Sequence, residues 1–298
     1  MGLNLSRFLF ATFVLLLSLI VSTGGQATIG ATNFQSSVYD RVIKSGTIRC
    51  GYLLYPPYCM EDPNTGKLTG IFVEVMEMVG KRLGLKVIWS DEVGYESLFE
   101  GLRSNRFDIF AGGLWPNADR AKVADFSIPI FYSAFKAYGR TSENRFQGNL
   151  QAINSPKITI AVLDGAMEDL IAKSDFPRAK RLSLPQLCPF SQNLLNIITK
   201  KADVTFAEPG IVSLFLKSNP NTLKELAPNK PLRIFGNTYV FKIGEMTFKN
   251  MINTVLEELI NSGEIEKLIR KYELCPGAFY RVAAPYQMPS NARLSKVH

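Results

Sequence analysis

Apolar residues along most of the chain follow the two spacings that distinguish helices from strands. Over residues 71–84 they recur every three or four positions, which predicts an amphipathic helix that ends at Gly84. Residues 248–263 carry a second stripe of this kind. Short apolar runs at 107–112 and 157–163 instead predict buried strands. The chain therefore contains both kinds of element, and they alternate.

The alternation of strands and helices predicts an α/β fold with parallel-type sheets and flanking helices. The same order occurs twice, which indicates two lobes. We predict that residues 47–134 and 241–275 form the first lobe and that residues 135–240 form the second. The chain would then cross between the lobes near Ser133 and near Tyr239. Because ligands of such sheets bind beyond the carboxyl ends of the strands, we expect a cleft site between the lobes.

Residues 1–27 have the order of a cleaved secretory signal peptide, in which a basic start is followed by an apolar run and then by small residues. We predict cleavage after Ala27. The apolar run is too short for a membrane span, and no cysteine lies near the cleavage site for a lipid anchor. We therefore expect a periplasmic protein without a lipid anchor. Residues 28–46 would form a spacer and residues 276–298 a tail.

Charge and rare residue types exclude several function classes. The net charge is +8, but basic residues are scattered among acidic ones, so we expect a solvated basic surface and no nucleic-acid partner. The one histidine is His298, which excludes Ser-His-Asp and Cys-His catalysis. Without a close cysteine pair, we predict neither a metal site nor a cofactor. Four cysteines leave three full disulfide pairings open in an oxidising compartment. They are Cys50, Cys59, Cys188 and Cys275.

Several motifs occur in an order that is typical of a known family. They are GTIRCGYLLYPPY, GKLTGIFVEVMEMVGKRLGLKV, LRSNRFDIFAGGLWPNADRAKVADFSIPIF, ITIAVLDGAMEDL, KKADVTFAE and NSGEIEKLIRKYE. From about Val42 to Tyr272 the chain resembles the extracellular solute-binding proteins of ABC importers, which include the polar amino-acid binders. The resemblance implies two lobes that close on a small ligand and deliver it to a membrane permease. We expect the protein to act as a monomer.

The resemblance also implies ligand contacts at particular positions. Arg120 falls where the family's arginine pairs with the ligand α-carboxylate, for which a guanidinium fork is well suited. Its alternative is a surface ion pair. Tyr55 and Tyr95 match positions where aromatic rings stack on the ligand, although both could be ordinary half-buried tyrosines. Gly113 would let the backbone approach the ligand, or would simply serve a turn.

Glu208 falls where amino-acid binders usually place an aspartate for the ligand ammonium group. A carboxylate suits that role, but glutamate is one methylene longer. The alternative is an acid at a helix N-terminus, ahead of Pro209, where the helix dipole favours negative charge.

Two positions depart from the family pattern. Trp115 stands where amino-acid binders commonly have a hydroxyl, and its ring would either form part of an aromatic wall or turn into the lobe core. Ala166 and Met167 occupy a position where a hydroxyl-bearing pair is frequent. Asp164 and Glu168 add negative charge nearby, although either could be solvated. We therefore expect a reshaped pocket for a small zwitterion, or for a cationic or aromatic amino-acid derivative.

Three function classes follow from these residues. The first is a binding protein for import, which needs no catalytic group. The second is an enzyme on the same scaffold, similar to cyclohexadienyl dehydratases, with Glu208 as a buried general acid. The third is a sensory module that acts through a separate partner. We predict the first, because the chain shows no pair of nucleophile and base.

Overall fold

The structure is a computed structural model that describes residues 37–95, 97–146, 148–228, 230–275 and 277–281. The predicted signal peptide, the first half of the spacer and most of the tail lie outside the described residues. Within the described residues, no helix is long and apolar enough to cross a membrane.

The described residues form eight α-helices and twelve strands. The helices are α1 (Val38–Ser45), α2 (Ile71–Leu83), α3 (Ser97–Arg103), α4 (Met167–Asp175), α5 (Ser191–Ile198), α6 (Pro209–Ser218), α7 (Met246–Asn261) and α8 (Glu264–Tyr272). The strands are β1 (Thr47–Tyr52), β2 (Met60–Glu61), β3 (Leu68–Thr69), β4 (Lys86–Glu92), β5 (Ile109–Leu114), β6 (Ala124–Phe126), β7 (Phe131–Arg140), β8 (Thr159–Leu163), β9 (Lys180–Leu184), β10 (Val204–Ala207), β11 (Leu223–Glu225) and β12 (Arg233–Lys242). The predicted α/β class is confirmed.

Helix ends follow the local sequence. The Ser37 side chain accepts a hydrogen bond from the Asp40 backbone at the start of α1. Helix α2 ends at Gly84, as predicted, because Gly84 adopts the left-handed conformation at φ 67°. Helix α6 begins with Pro209, whose missing N–H costs nothing at the first helical position.

One curled sheet of ten strands has the order β4-β1-β5-β12-β7-β10-β8-β9, with β6 on β12 and β11 on β7. The outer pairs β1 with β4, β1 with β5, β8 with β10 and β8 with β9 are parallel, as predicted. Three pairs in the middle of the sheet are antiparallel, namely β5 with β12, β12 with β7, and β7 with β10. The sheet is therefore mixed, because β7 and β12 run through its middle in opposite directions.

The long strands β7 and β12 join the two ends of the sheet. Residues 131–135 of β7 pair with residues 233–237 of β12, and beyond this shared segment each strand continues into a different set of neighbours. The predicted crossings near Ser133 and Tyr239 fall within these strands. The first lobe denotes the predicted residues 47–134 and 241–275, and the second lobe denotes residues 135–240. The limits of both ranges stay a prediction.

The four cysteines all lie within the described residues and are free thiols. Cys50 and Cys59 are buried, and burial raises the pKa of both thiols. Cys188 and Cys275 are partly exposed.

Candidate functional site

A small cavity of about 40 Å³ lies where the carboxyl ends of β1, β5 and β10 meet the start of α4. Its lining residues come from both lobes. They are Leu53, Tyr55, Phe72, Tyr95, Gly112, Gly113, Leu114, Trp115, Arg120, Phe135, Met167, Glu168, Glu208 and Asn237. Six of the eight predicted ligand contacts are among them. The strand order thus places these distant segments around one space, at the end of the sheet where ligands of α/β proteins bind.

Arg120 borders this cavity from the first lobe. Its backbone N–H donates to Asn117 Oδ1 at 2.9 Å, which holds the short 3-10 turn that it begins. Its Nη1 donates to the Trp115 carbonyl oxygen at 2.8 Å, and its Cζ lies 6.0 Å from the centre of the Tyr95 ring. Burial lowers the pKa of Arg120, and no described carboxylate forms an ion pair with it. Within the described residues, Arg120 therefore does not form the surface ion pair that was the alternative to a ligand contact.

Glu208 lies between β10 and α6 with only 1 % of its surface exposed. Its Oε1 accepts a hydrogen bond from the Ser133 hydroxyl. Burial raises the pKa of Glu208 to about 8, although the Ser133 and Tyr58 hydroxyls favour the ionised form. The buried Tyr58 hydroxyl makes no hydrogen bond of ordinary geometry within the described residues. Of the two hydroxyls, Ser133 therefore makes the stronger hydrogen bond to Glu208. This burial favours the protonated form of Glu208 at neutral pH.

Glu168 is a second buried carboxyl group on this cavity, and it comes from the first turn of α4. Its Oε1 accepts a hydrogen bond from the Leu163 backbone N–H at 3.0 Å. Burial raises the pKa of Glu168 to about 7, against the effect of the backbone hydrogen bonds. The cavity therefore carries one guanidinium group and two carboxyl groups that titrate near neutral pH.

Trp115 both lines the cavity and packs into the core. Its ring stacks on Phe235 with 4.8 Å between centroids and meets the edge of Phe135 at 4.6 Å. Its indole N–H donates to Asn237 Oδ1 at 2.8 Å. The structure thus combines the two alternatives for this residue, since one ring can border the cavity while most of its surface is buried.

A chain of hydrogen bonds runs from Trp115 to Glu208. Asn237 accepts from the Trp115 indole, and its Nδ2 donates to Ser133 Oγ at 2.9 Å. The Ser133 hydroxyl donates in turn to Glu208. All four side chains are nearly inaccessible to solvent. These hydrogen bonds fix the orientation of the Glu208 carboxyl group. Trp115 therefore takes a structural role at a position where a hydroxyl is common in amino-acid binders.

Tyr55 and Tyr95 form the aromatic part of the lining. The Tyr55 ring stacks on Tyr58 at 5.7 Å and meets the edge of Phe190, which belongs to the second lobe, at 6.4 Å. Tyr95 lies under the Arg120 guanidinium group. Both tyrosines are half-buried and present ring surface to the cavity.

Gly113 is required by its backbone and by a neighbouring ring. Its φ is +80°, a region that side chains disfavour, and an added Cβ would lie 2.0 Å from the Phe72 ring. Gly113 therefore allows the closely packed lining on this side of the cavity.

Two predicted contacts do not line this cavity. Asp164 is exposed, because the turn after β8 directs it outward, and its backbone N–H donates to the Leu184 carbonyl oxygen at 2.9 Å. Ala166 is buried at the start of α4. Met167 and Glu168 take the lining positions in this segment. The roles in binding predicted for Asp164 and Ala166 remain without support from this geometry.

Sequence reasoning did not assign three lining residues that matter here. The sequence indicates Glu168 only as a negative charge near the site that could be solvated. Phe72 falls within the apolar stripe of residues 71–84, which indicates a core position rather than a ligand contact. Asn237 gave a signal that could have been used, because a lone amide within a predominantly apolar strand needs a buried partner.

Comparisons with known proteins show which family this chain resembles. The family model of the bacterial extracellular solute-binding proteins, family 3, matches residues 48–274. A probable amino-acid ABC transporter-binding protein of Haemophilus influenzae is 26 % identical over 268 residues, covering 89 % of this chain and 96 % of the relative. Cyclohexadienyl dehydratase of Pseudomonas aeruginosa is also 26 % identical, but over 231 residues, covering 77 % of this chain and 83 % of the enzyme.

Among solved structures, the ancestral amino acid-binding protein AncCDT-1, a precursor of cyclohexadienyl dehydratase, has a similar fold. Its TM-score is 0.69 at 21 % identity, and the match covers 80 % of this chain and 99 % of that one. The predicted two-lobed fold is confirmed by this likeness. The family match confirms the predicted resemblance and the predicted class of function, which is binding of a solute.

Proposed function

The chain belongs to the bacterial extracellular solute-binding proteins of family 3, and from this premise we propose that its small cavity holds the head groups of a free α-amino acid. We further propose that the protein is exported through a cleaved signal peptide, acts as a monomer in the periplasm and hands its ligand to an ABC permease. The relative from Haemophilus influenzae supports the transporter partner by its description. A pull-down that recovers a permease rather than a receptor subunit tests this partner and separates import from signalling.

One observation carries the choice of ligand. A guanidinium group that pairs with no described carboxylate and two buried carboxyl groups border the same cavity. An α-amino acid carries the complementary charges on neighbouring atoms. The ligand carboxylate pairs with Arg120, whose planar fork matches two oxygens, and the ligand ammonium group lies against Glu208 and Glu168.

The carboxyl groups link binding to pH. Without a cation beside them the carboxyl groups favour the protonated form, since burial raises the pKa of Glu208 to about 8 and that of Glu168 to about 7. An ammonium group beside them favours the ionised form, so binding near neutral pH releases protons to the solvent. Affinity for an amino acid should therefore rise as the pH increases from 5.5 toward about 8.

Closure of the lobes completes the site in this account. Tyr55 of the first lobe already meets Phe190 of the second edge to face. The charged groups also come from both sides, with Arg120 in the first lobe and the two glutamates in the second. A ligand that bridges them stabilises the closed arrangement, which is the hinge closure expected of this family.

Isothermal titration of the refolded, ligand-free protein with a panel of amino acids tests the proposal. Arg120→Ala should abolish binding of any amino acid that the wild type binds. Lys122→Ala is the matched control, because Lys122 lies in the same 3-10 turn but is exposed and paired with Asp119. The α-amide of the best ligand should bind poorly, since it lacks the carboxylate. Unchanged affinity in Arg120→Ala would overturn the carboxylate pairing.

A dehydratase activity is a second candidate, and one observation favours it. Glu208 and Glu168 hold protons near neutral pH inside a cavity that also contains Arg120, as a general acid acting on a carboxylate substrate requires. The similarity to the Pseudomonas aeruginosa enzyme points the same way. Consumption of prephenate or arogenate by the purified protein would establish this activity. No turnover at protein concentrations that bind an amino acid would exclude it for those substrates.

A further inference from the structure

A second and much larger cavity, of about 740 Å³, opens beside the charged one. The two share Leu53, Tyr55 and Tyr95 in their walls. The two cavities therefore adjoin each other at these residues. We call the larger space the apolar cleft.

The walls of the apolar cleft are mainly hydrocarbon and aromatic. The first lobe contributes Leu53 and Val93, and the second contributes Phe190, Leu194 and Ile211. Among the described residues that line it, only Glu92 and Arg106 carry a charge at neutral pH, and both are exposed at its rim. A cationic side chain would find no buried acid here, whereas an apolar side chain would lose contact with water.

The two cavities differ in size, and each suits a different part of one ligand. The charged cavity, at about 40 Å³, has room for ~3 water molecules and thus for head groups without a side chain. We propose that the solute is an α-amino acid with a long apolar side chain, whose head groups occupy the charged cavity and whose side chain occupies the apolar cleft. This inference rests on the proposed function and adds the class of amino acid.

The loop between β9 and α5 supports this assignment. At its tip, Leu187 lines the cleft with 70 % of its surface exposed, the largest exposed fraction among the described large apolar residues. The same loop approaches the first lobe, since a Cβ built on Gly94 would lie 3.4 Å from the Gln186 side chain and 3.5 Å from that of Leu187. An apolar ligand side chain beneath this loop would cover Leu187. The loop thus places an apolar side chain against the cleft.

A homologous ligand series tests the proposal, because its members share head groups and differ only in side-chain length. Isothermal titration would compare alanine, norvaline, norleucine and 2-aminooctanoate. Each methylene that enters the cleft should tighten binding about fourfold, the equivalent of about 0.8 kcal/mol per buried CH₂. Lysine, which ends in a cation, should bind more weakly than norleucine. Affinity that is flat or that falls with length, while alanine still binds, would reject the cleft and leave the proposed function intact.

Two variants locate the side chain within the cleft. Leu214→Gln changes a half-buried lining residue and should weaken 2-aminooctanoate about tenfold while alanine affinity changes less than twofold. Leu195→Gln is the matched control, because Leu195 is partly exposed on α5 and does not line the cleft. Equal effects of the two variants would contradict the proposed location. If no member of the series binds, both the amino-acid head-group site and the cleft proposal are wrong.

Discussion

Replacing Glu208 with glutamine should make the empty protein less sensitive to rising pH. The folded state keeps a proton on Glu208, since burial raises its pKa from 4.5 to about 8. The unfolded chain loses that proton at its ordinary pKa. The contribution of Glu208 is therefore fully present below pH 4.5 and is lost as the pH rises through about 8. Glutamine is neutral throughout and can still accept from Ser133.

The magnitude follows from the pKa difference. Each unit of difference corresponds to 1.36 kcal/mol, so the full effect is about 5 kcal/mol. Between pH 5.5 and 8, the wild type should lose about 3 kcal/mol of unfolding free energy that Glu208→Gln retains. Glu168, whose pKa is also raised, is present in both proteins, so the comparison reports the burial of Glu208 together with its repulsion from Glu168.

Urea unfolding of ligand-free protein at several pH values measures this difference. Glu143→Gln is the control, because the Arg145 guanidinium group beside Glu143 lowers the pKa of that carboxyl group. Its stabilising effect is present at higher pH and is lost as the pH falls, so Glu143→Gln should keep the wild-type loss between pH 5.5 and 8. Parallel curves for the wild type and Glu208→Gln would refute a buried, protonated Glu208.

Two further predictions concern the packing around the charged cavity. Gly113→Ala should lower the unfolding free energy by about 3 kcal/mol or more, because the new Cβ strains the backbone and meets Phe72. Gly148→Ala, at φ +75° with open space around it, should cost only about 1 kcal/mol in the same urea titration, and equal losses would contradict the Phe72 contact. Trp115→Phe should cost about 2 kcal/mol, since it leaves the buried Asn237 amide oxygen without its donor. A neutral effect of Trp115→Phe on urea unfolding would mean that the indole hydrogen bond is unimportant.

Elements with a regular period could be predicted from the sequence, and those whose form depends on distant partners could not. Helix α2 follows its apolar stripe and ends at the expected glycine. Helix α1 was missed, because it is short and buries only Val38 and Val42. The apolar run that indicates extended structure begins only at residue 239, but strand β12 begins at Arg233 because its first half pairs with β7.

The candidate site shows the same limit. Arg120 and Glu208 lie on segments that follow strand ends, so their position on the cleft could be predicted from the order of the elements. The environment of Trp115 could not, because Phe135 and Phe235 reach it from strands far away in the sequence. The apolar cleft depends on the separation of the lobes, which no local pattern records.

A crystal structure of the protein with a bound amino acid is the most direct test of the central claim. The account predicts the ligand carboxylate within about 3 Å of the Arg120 guanidinium group and the ligand ammonium group at hydrogen-bond distance from Glu208 or Glu168. An ordered amino acid whose carboxylate lies away from Arg120, or whose ammonium group meets neither glutamate, would contradict it.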